Sequence, residues 1–471
     1  MKKLTALLLS AIMMFSVFSL STSAYSAEKL TEDEWNTLYS SLKDDNTLPM
    51  LCVGADETQL GLVWHAPKDT AKAEVKLSKN ADMSDYVLFT GWLDPADNDY
   101  QVICRVDITG IEENTDYFYQ WYTGSEWSDA YEYQSKASDS YKMMVIGDIQ
   151  IGGQTDSADK QSQDGFNWNN VLAEAISKNP DISFLLSPGD NTSTGKGDNE
   201  WQTLLMPSLT RNIPLALAIG NHDKKGMKYD YFTHMPNEFY GNYFTGLDRD
   251  FYFRYGDALY LVFDATSASA ADHMAMAKKA VEENKDAKWR IAVMHQALFG
   301  PGYGSIDPET GILLNAVFTP IFDTYDVDLV LTGHSHLQGR SHFMVESSIV
   351  GKAESGHAYV NPNGIIYLNS NAVCDHESFT LPLPHVAYEF VENDVTTYTT
   401  IEFYDDTMKV KTFRGDNSEL LDEVSIIKNK EHKDNTPLKL FQRLLYKVVE
   451  LLGRLYQEID AIVVANRGGH F

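Results

Sequence analysis

Short polar stretches in the middle of the chain carry residue types that bind metal ions, and each stretch ends a run of strand-forming residues. The stretches read GDIQ, GD, GNHD, MH and GHSH, and their candidate ligands are Asp148, Gln150, Asp190, Asn221, His295, His334 and His336. Carboxylate, amide and imidazole donors without cysteine suit cations such as Mn, Fe, Zn or Mg. The pattern therefore predicts a metal site whose ligands sit at strand ends.

The ordered set of motifs is more informative than any one of them. A Gly-Asp pair is usually just a turn, and an isolated histidine on an apolar strand is more often a core residue than a ligand. Two cations need a carboxylate that touches both. Paired ions about 3.5 to 4 Å apart can deprotonate a water and stabilise the entering and leaving oxygens of a phosphoryl displacement. The motifs together predict a dinuclear centre of this kind.

Length and charge limit the other possible functions. A chain of 471 residues is too long for one ordinary core, so we expect two or three domains. Its formal net charge of −29 argues against a nucleic-acid partner, because such affinity comes mainly from clustered Lys and Arg. Small phosphorylated substrates remain compatible, since bound divalent cations can invert the local field of a site.

The first residues resemble an export signal. Lys2 and Lys3 precede an apolar stretch, and small residues at 22–24, or Ala27, offer a cleavage site. We therefore expect residues 1–27 to be a signal peptide and the mature protein to be secreted or otherwise extracytoplasmic, with an uncleaved anchor as the alternative. The three scattered cysteines predict no disulfide framework and at most one bridge.

Periodicity and composition divide the rest of the chain into four segments. Residues 28–47 are predicted to form an acidic helical lead. Alternating short strands over 48–138 predict a small β-sandwich. Its tryptophans are expected either to fill the core or to form a binding surface. Residues 139–415 alternate strands with helical stretches and predict an α/β domain. The tail, 416–471, carries an amphipathic helix that fits either packing on protein or peripheral contact with a membrane or cell envelope.

The motifs and the preceding β-sandwich resemble the calcineurin-like metallophosphoesterase family and its purple acid phosphatase branch. The resemblance covers most of residues 48–414 and implies a two-sheet sandwich flanked by helices, with the metals above the strand ends. The β-sandwich is similar to fibronectin type III domains, in which a tyrosine, here Tyr117, closes a corner by bonding to backbone. Matched by motif, Asp148 and His336 would hold the first metal, with Gln150 as a weaker ligand. Asp190 would contact both metals. The second metal would be held by Asn221, His295 and His334.

The resemblance also implies roles for residues beside the metals. His222 would protonate the leaving group, and Asp223 would orient His222, while a hydroxide bridging the metals attacks phosphorus without a phosphoenzyme. Arg340 follows the last motif closely, so it fits either a bidentate phosphate contact or an ordinary ion pair. Two positions depart from the pattern. Gln150 replaces the usual His, which predicts a loosely bound first metal, and Ser193 replaces the Tyr that colours purple acid phosphatases, which predicts a colourless protein.

The predicted function is hydrolysis of small phosphate esters by a secreted, acid phosphatase-like enzyme with two divalent metal ions, Mn, Fe or Zn. A phosphodiesterase or nucleotide phosphatase with the same site is the alternative within the enzyme class. Outside that class, the alternative is a secreted binding or adhesion protein with a non-catalytic metal site. His222 argues against it, because a structural site needs no histidine beside an open metal face.

Overall fold

The computed structural model describes residues 29–45, 47–98, 101–152, 158–226, 228–240, 249–267, 269–299, 308–345, 348–374, 388–392 and 395–429. The predicted signal peptide and the predicted tail helix lie outside these residues. None of the helices described has the length and hydropathy that a membrane span requires.

The N-terminal part consists of one helix and eight short strands. These elements are α1 (Glu32–Leu42), β1 (Met50–Val53), β2 (Gln59–Pro67), β3 (Glu74–Ser78), β4 (Val87–Thr90), β5 (Trp92–Pro95), β6 (Gln101–Thr109), β7 (Asp116–Trp121) and β8 (Tyr131–Gln134). The strands form an all-β unit, because β3, β4, β7 and β8 make a four-stranded sheet that shares a hydrophobic core with β1, β2 and β6. Trp64 and Trp121 lie in this core, whereas Trp92 is 43% exposed.

From residue 140 onward, strands alternate with helices. The strands are β9 (Ser140–Val145), β10 (Ile182–Ser187), β11 (Leu215–Leu217), β12 (Phe251–Tyr255), β13 (Ala258–Phe263), β14 (Trp289–Met294), β15 (Leu329–Thr332), β16 (Gln338–Ser341), β17 (Phe343–Val345), β18 (Ser348–Gly351), β19 (His357–Val360), β20 (Ile366–Asn369), β21 (Tyr388–Glu392), β22 (Thr397–Tyr404), β23 (Thr407–Arg414) and β24 (Leu420–Ile427). The helices are α2 (Ala158–Lys178), α3 (Asp198–Leu205), α4 (Asn221–Lys224), α5 (Tyr229–Phe232), α6 (Ala270–Glu283) and α7 (Pro308–Thr324), with a 3₁₀ turn at Ser208–Arg211.

Two large sheets pack against each other and place helices on their outer faces. The first has the order β19-β24-β23-β22-β9-β10-β11-β1-β2-β6-β5, and the second has the order β12-β13-β14-β15-β20-β16-β21. Strands such as β10 and β13 are buried along their whole length, as is usual for strands covered on both sides. The shared core joins Phe184 of the first sheet to Phe253 and Tyr260 of the second. The predicted α/β class with two sheets is therefore confirmed.

The all-β unit and the α/β part share one continuous sheet. Strand β1 pairs in parallel with β11, with Cys52 opposite Leu215, so the first sheet runs unbroken from one part into the other. The backbone N–H of Glu112 donates to the hydroxyl of Tyr117 at 2.9 Å, which confirms the predicted tyrosine corner. All three cysteines are buried and free, so the single bridge that the sequence allowed does not form.

Candidate metal centre

The predicted ligands follow strands of both sheets and converge at one place. Asp148 follows β9, Asp190 follows β10, and His295 and His334 follow β14 and β15. The backbone N–H of His334 donates to both carboxylate oxygens of Asp148 at 3.0 Å. Because β9 belongs to the first sheet and β15 to the second, this contact joins the strand ends of the two sheets across the site.

Three side chains form a compact cluster of donor atoms. Asp190, His295 and His334 each offer one ligand atom, and the three atoms lie within 4.8 Å of one another. His295 Nε2 is 3.0 Å from Asp190 Oδ2 and 3.3 Å from His334 Nδ1. One carboxylate oxygen and two imidazole nitrogens at this spacing can share a single cation.

A second group of predicted ligands lies around Asp148. His336 Nε2 is 3.6 Å from Asp148 Oδ1, and His336 is linked to the first cluster through the backbone of the GHSH motif. Gln150 is buried at 1% exposure, two residues from Asp148. His336 therefore lies beside Asp148, and the backbone N–H of Gln150 donates to the carbonyl oxygen of Asp190 at 2.9 Å.

Two buried amide oxygens support a bound cation. Gln150 Oε1 and Asn221 Oδ1 are both buried and have no hydrogen-bond partner. Burial of a polar oxygen without a partner costs free energy, so such atoms are rare in native proteins. Coordination of a divalent cation would satisfy both oxygens. The donor set of carboxylate, amide and imidazole groups, without thiolate, fits the cations that the sequence predicts.

The backbone at the centre adopts a conformation that ordinary residues avoid. Positive φ angles occur at five predicted ligands, with values of 45° at Asp148, 52° at Gln150, 49° at Asp190, 73° at His334 and 51° at His336. The left-handed conformation costs roughly 1–2 kcal/mol for an L-residue. Such strain persists only where the surrounding structure enforces it, and it clusters at functional sites.

The motif glycines allow the loops to approach the carboxylates. A Cβ placed on Gly220 would overlap Asp190 Oδ1, and one on Gly333 would overlap Asp148 Oδ2. Neither overlap can be relieved by a flexible side-chain end, because both carboxylates are buried and held by backbone N–H groups. These positions therefore require glycine for close approach rather than for a turn alone.

The titratable groups of the cluster are strongly coupled. Burial raises the pKa of Asp190, but the neighbouring His295 and His222 outweigh it and lower the pKa to about 2. Burial lowers the pKa of His295, yet Asp190 outweighs it and raises the pKa to about 9. Burial and the charge of His295 lower the pKa of His334 to about 3. His295 Nε2 lies 3.0 Å from Asp190 Oδ2, so the two groups stabilise each other's charged forms.

His222 lies at the edge of this cluster. Its backbone N–H donates to Asp190 Oδ1 at 2.8 Å, and its Nδ1 contacts the carbonyl oxygen of Ser193. Its side chain is half-buried, and Lys225 Nζ lies 3.3 Å from the same Nδ1. Sequence reasoning missed Lys225, although its place three residues after His222, one helical turn away, was a usable signal.

Asp223 has a different role from the one expected. Its carboxylate accepts hydrogen bonds at 2.9 to 3.1 Å from the backbone N–H groups of Gly220, Asn191 and Thr192 and from the side chains of the last two. The ring of His222 instead contacts Ser193 and Lys225. The expectation that Asp223 orients this ring is therefore corrected: Asp223 ties the GNHD turn to the loop that follows Asp190. Burial and the charge of Asp190 raise the pKa of Asp223 to about 7.

The guanidinium group of Arg340 is not available to bind phosphate. Its side chain is fully buried, and its guanidinium group forms a bidentate ion pair with Asp422 and donates to the carbonyl of Ala353. The expectation of a phosphate contact is therefore corrected. The arginine joins β16 of the second sheet to β24 of the first, and the carboxylate of Asp422 occupies the face of the guanidinium that would bind phosphate.

Comparisons with known proteins are consistent with this geometry. The family model of the calcineurin-like phosphoesterases matches residues 141–338, whereas no curated protein matches the sequence. Among solved structures, purple acid phosphatase PPD1 from seeds of yellow lupin (Lupinus luteus) is similar at a TM-score of 0.68 and 15% identity, over 83% of this chain and 77% of that chain. PhoD is similar at a TM-score of 0.53 and 10% identity, over 89% and 99% respectively. At these identities the likeness concerns the fold.

Proposed function

Residues 141–338 form a calcineurin-like phosphoesterase domain, and on that premise we propose that this chain is a secreted, metal-dependent phosphatase that hydrolyses small phosphate esters. The observation that carries the proposal is the convergence of Asp190, His295 and His334 within 4.8 Å. Two further predicted ligands, Gln150 and Asn221, each have a buried amide oxygen without a hydrogen-bond partner. The signal-like residues 1–27 support the extracytoplasmic location.

The chain offers ligands for two cations on either side of Asp190. Asp148, Gln150 and His336 would hold the first, Asn221, His295 and His334 the second, and the Asp190 carboxylate would contact both. When bound, such a pair supplies activation of water and neutralisation of the charge that develops on phosphate oxygens. Because Gln150 offers an amide oxygen where an imidazole is usual, we expect the first position to release its cation more readily.

His222 is the residue proposed to donate a proton to the leaving group. Its Nδ1 faces the carbonyl oxygen of Ser193, an acceptor, so Nδ1 carries the hydrogen of that contact. Nε2 is then the atom that can hold the proton delivered to the departing oxygen. The backbone N–H of His222 also donates to Asp190 Oδ1, which fixes the backbone of His222 next to the proposed bridging carboxylate.

The leaving group provides a sharp test of His222. The mature protein is stripped and reloaded with Mn, Fe or Zn, and hydrolysis is measured for p-nitrophenyl phosphate, an alkyl phosphate and a p-nitrophenyl phosphodiester. His222→Ala should lower kcat for the alkyl phosphate by about 10² to 10⁴-fold. The loss should be smaller for p-nitrophenyl phosphate, because p-nitrophenoxide departs readily without a proton. His357→Ala, an exposed histidine on β19, is the matched control.

Metal content gives a second readout that does not depend on turnover. Asn221→Ala removes one of the two unpartnered amide oxygens among the predicted ligands, and we expect a lower metal stoichiometry after dialysis together with a loss of activity. Equal losses of kcat on all substrates in His222→Ala would reject the proton-donor role. A folded protein that binds metal but hydrolyses neither monoester nor diester would instead favour a non-catalytic binding protein.

A further inference from the structure

One polar side chain ends the otherwise apolar strand β20. The first three residues of this strand are buried and apolar, and the fourth, Asn369, is fully buried as well. Asn369 lies opposite Thr332, the last residue of β15, in the parallel pairing of the two strands. Because the GHSH motif follows Thr332 directly, Asn369 lies beside the turn that carries His334 and His336.

The amide group of Asn369 forms hydrogen bonds along this motif and its flanks. Its Nδ2 donates to Ser335 Oγ at 2.6 Å and to the carbonyl oxygen of Leu337 at 2.5 Å, and the carbonyl oxygen of Ser370 lies 3.2 Å away. Its Oδ1 accepts from the hydroxyl of Thr332 at 3.0 Å. Two carbonyl oxygens around one atom identify that atom as the amide nitrogen. The donors of Asn369 therefore face the turn.

The turn that these bonds hold carries one predicted ligand of each metal. His334 belongs to the ligand set of the second cation and His336 to that of the first. Both histidines have positive φ angles, which persist in an L-residue only where the surrounding structure enforces them. The hydroxyl of Ser335 and the carbonyl of Leu337 bond to the same amide group, so the backbone on both sides of His336 is fixed.

We propose that Asn369 is a positioning residue of the metal centre and fixes the GHSH turn so that His334 and His336 each reach a cation. The inference rests on the proposed function, which assigns these histidines to the two cations. An amide group suits this task because it supplies two donors and an acceptor, whereas a carboxylate supplies only acceptors. A buried amide costs free energy unless its bonds are made, so an apolar residue would serve the packing of β20 better.

Binding of Mn²⁺ to the metal-free mature protein, measured by isothermal titration calorimetry, tests this role. Asn369→Leu removes every hydrogen bond of the amide group. It should weaken both binding steps by about 10- to 100-fold, the usual effect of removing a group that holds metal ligands in place. Ser335→Ala removes one of the bonds and should have a smaller effect. Added to Asn369→Leu, it should weaken binding no further, because the bond that it breaks is already absent.

Asn179→Leu is the matched control for the loss of a buried amide. Asn179 is also buried, and its Nδ2 donates to the carbonyl oxygen of Ala175 at 2.9 Å. It precedes β10, at the opposite end of that strand from Asp190. The control should lower the free energy of unfolding and leave the affinity for Mn²⁺ unchanged. Circular dichroism gives a temperature at which every variant is folded, and all titrations are made there.

Metal affinity and turnover are measured separately, so failure of this inference differs from failure of the proposed function. Weaker binding of Mn²⁺ by folded Asn369→Leu, with wild-type affinity in Asn179→Leu, supports the inference even if the protein hydrolyses no phosphate ester. Unchanged affinity in Asn369→Leu overturns it, even if the protein is an active phosphatase. Equal losses of affinity in the two variants also overturn it, because affinity would then follow overall stability and not the position of the histidines.

Discussion

The buried ion pair between Arg340 and Asp422 predicts a large loss of stability when either partner is removed alone. Arg340 is fully buried, Asp422 is 3% exposed, and the guanidinium also donates to the Ala353 carbonyl at 2.7 Å. Removal of one partner leaves the other charge buried without compensation. Breaking such a pair costs about 3–5 kcal/mol, whereas replacement of both partners by apolar residues is often close to neutral.

A double-mutant cycle measures this coupling. Arg340→Met and Asp422→Leu should each lower the free energy of unfolding by about 3–5 kcal/mol, and the double variant should recover to within about 1–2 kcal/mol of the wild type. Chemical denaturation followed by fluorescence and circular dichroism gives the free energies. Steady-state kinetics with p-nitrophenyl phosphate, at a temperature at which every variant is folded, gives KM.

The cycle also distinguishes a structural role of Arg340 from phosphate binding. If Arg340 serves only the ion pair, KM of the double variant stays within a factor of about two of the wild-type value. If Arg340→Met had the same free energy of unfolding as the wild type and a much higher KM, the reasoning would be refuted. Arg340 would then be assigned to substrate binding. A double variant no more stable than either single variant would show that the pair is not the source of the stability.

Three further predictions concern the protonation of a buried histidine, a motif glycine and colour. Burial lowers the pKa of His65, against the opposing effect of a backbone hydrogen bond. The contribution of neutral His65 to stability is therefore complete above the unfolded pKa of about 6.5 and is lost as pH falls toward the folded pKa. His65→Gln should flatten this decline of Tm at acidic pH, and an unchanged pH profile of Tm would contradict the prediction. Gly220→Ala should abolish metal binding, measured as metal content after dialysis. Gly351→Ala, where a Cβ meets nothing closer than 3.6 Å, should retain it, and retention in both variants would contradict the close-approach argument. Because Ser193 stands where purple acid phosphatases carry their tyrosine, the iron-loaded protein should show no tyrosinate charge-transfer band in its visible spectrum, and Ser193→Tyr is the variant that could create one.

Candidate ligands could be proposed from the sequence because their signals are local. Asp148 and Asp190 lie three residues past β9 and β10, and His295 directly follows β14. Strand-forming runs of this kind can be read from consecutive residues. The corner at Tyr117 is equally local, since its backbone partner is five residues away. Ligand chemistry depends on residue type, so the preference for oxygen and nitrogen ligands could be stated before any distance was known.

Contacts between residues far apart in the chain were decided only by the tertiary structure. Arg340 and Asp422 are 82 residues apart and meet because two sheets pack together, which no local pattern indicates. Asp223 bonds to the loop at 191–192 rather than to its neighbour His222, because the GNHD turn folds against that loop. The sequence by itself determined which residues could bind metal and which segments could be strands. Only the close packing of the folded chain determined which buried charges are paired, because burial and pairing depend on the neighbours that folding brings together.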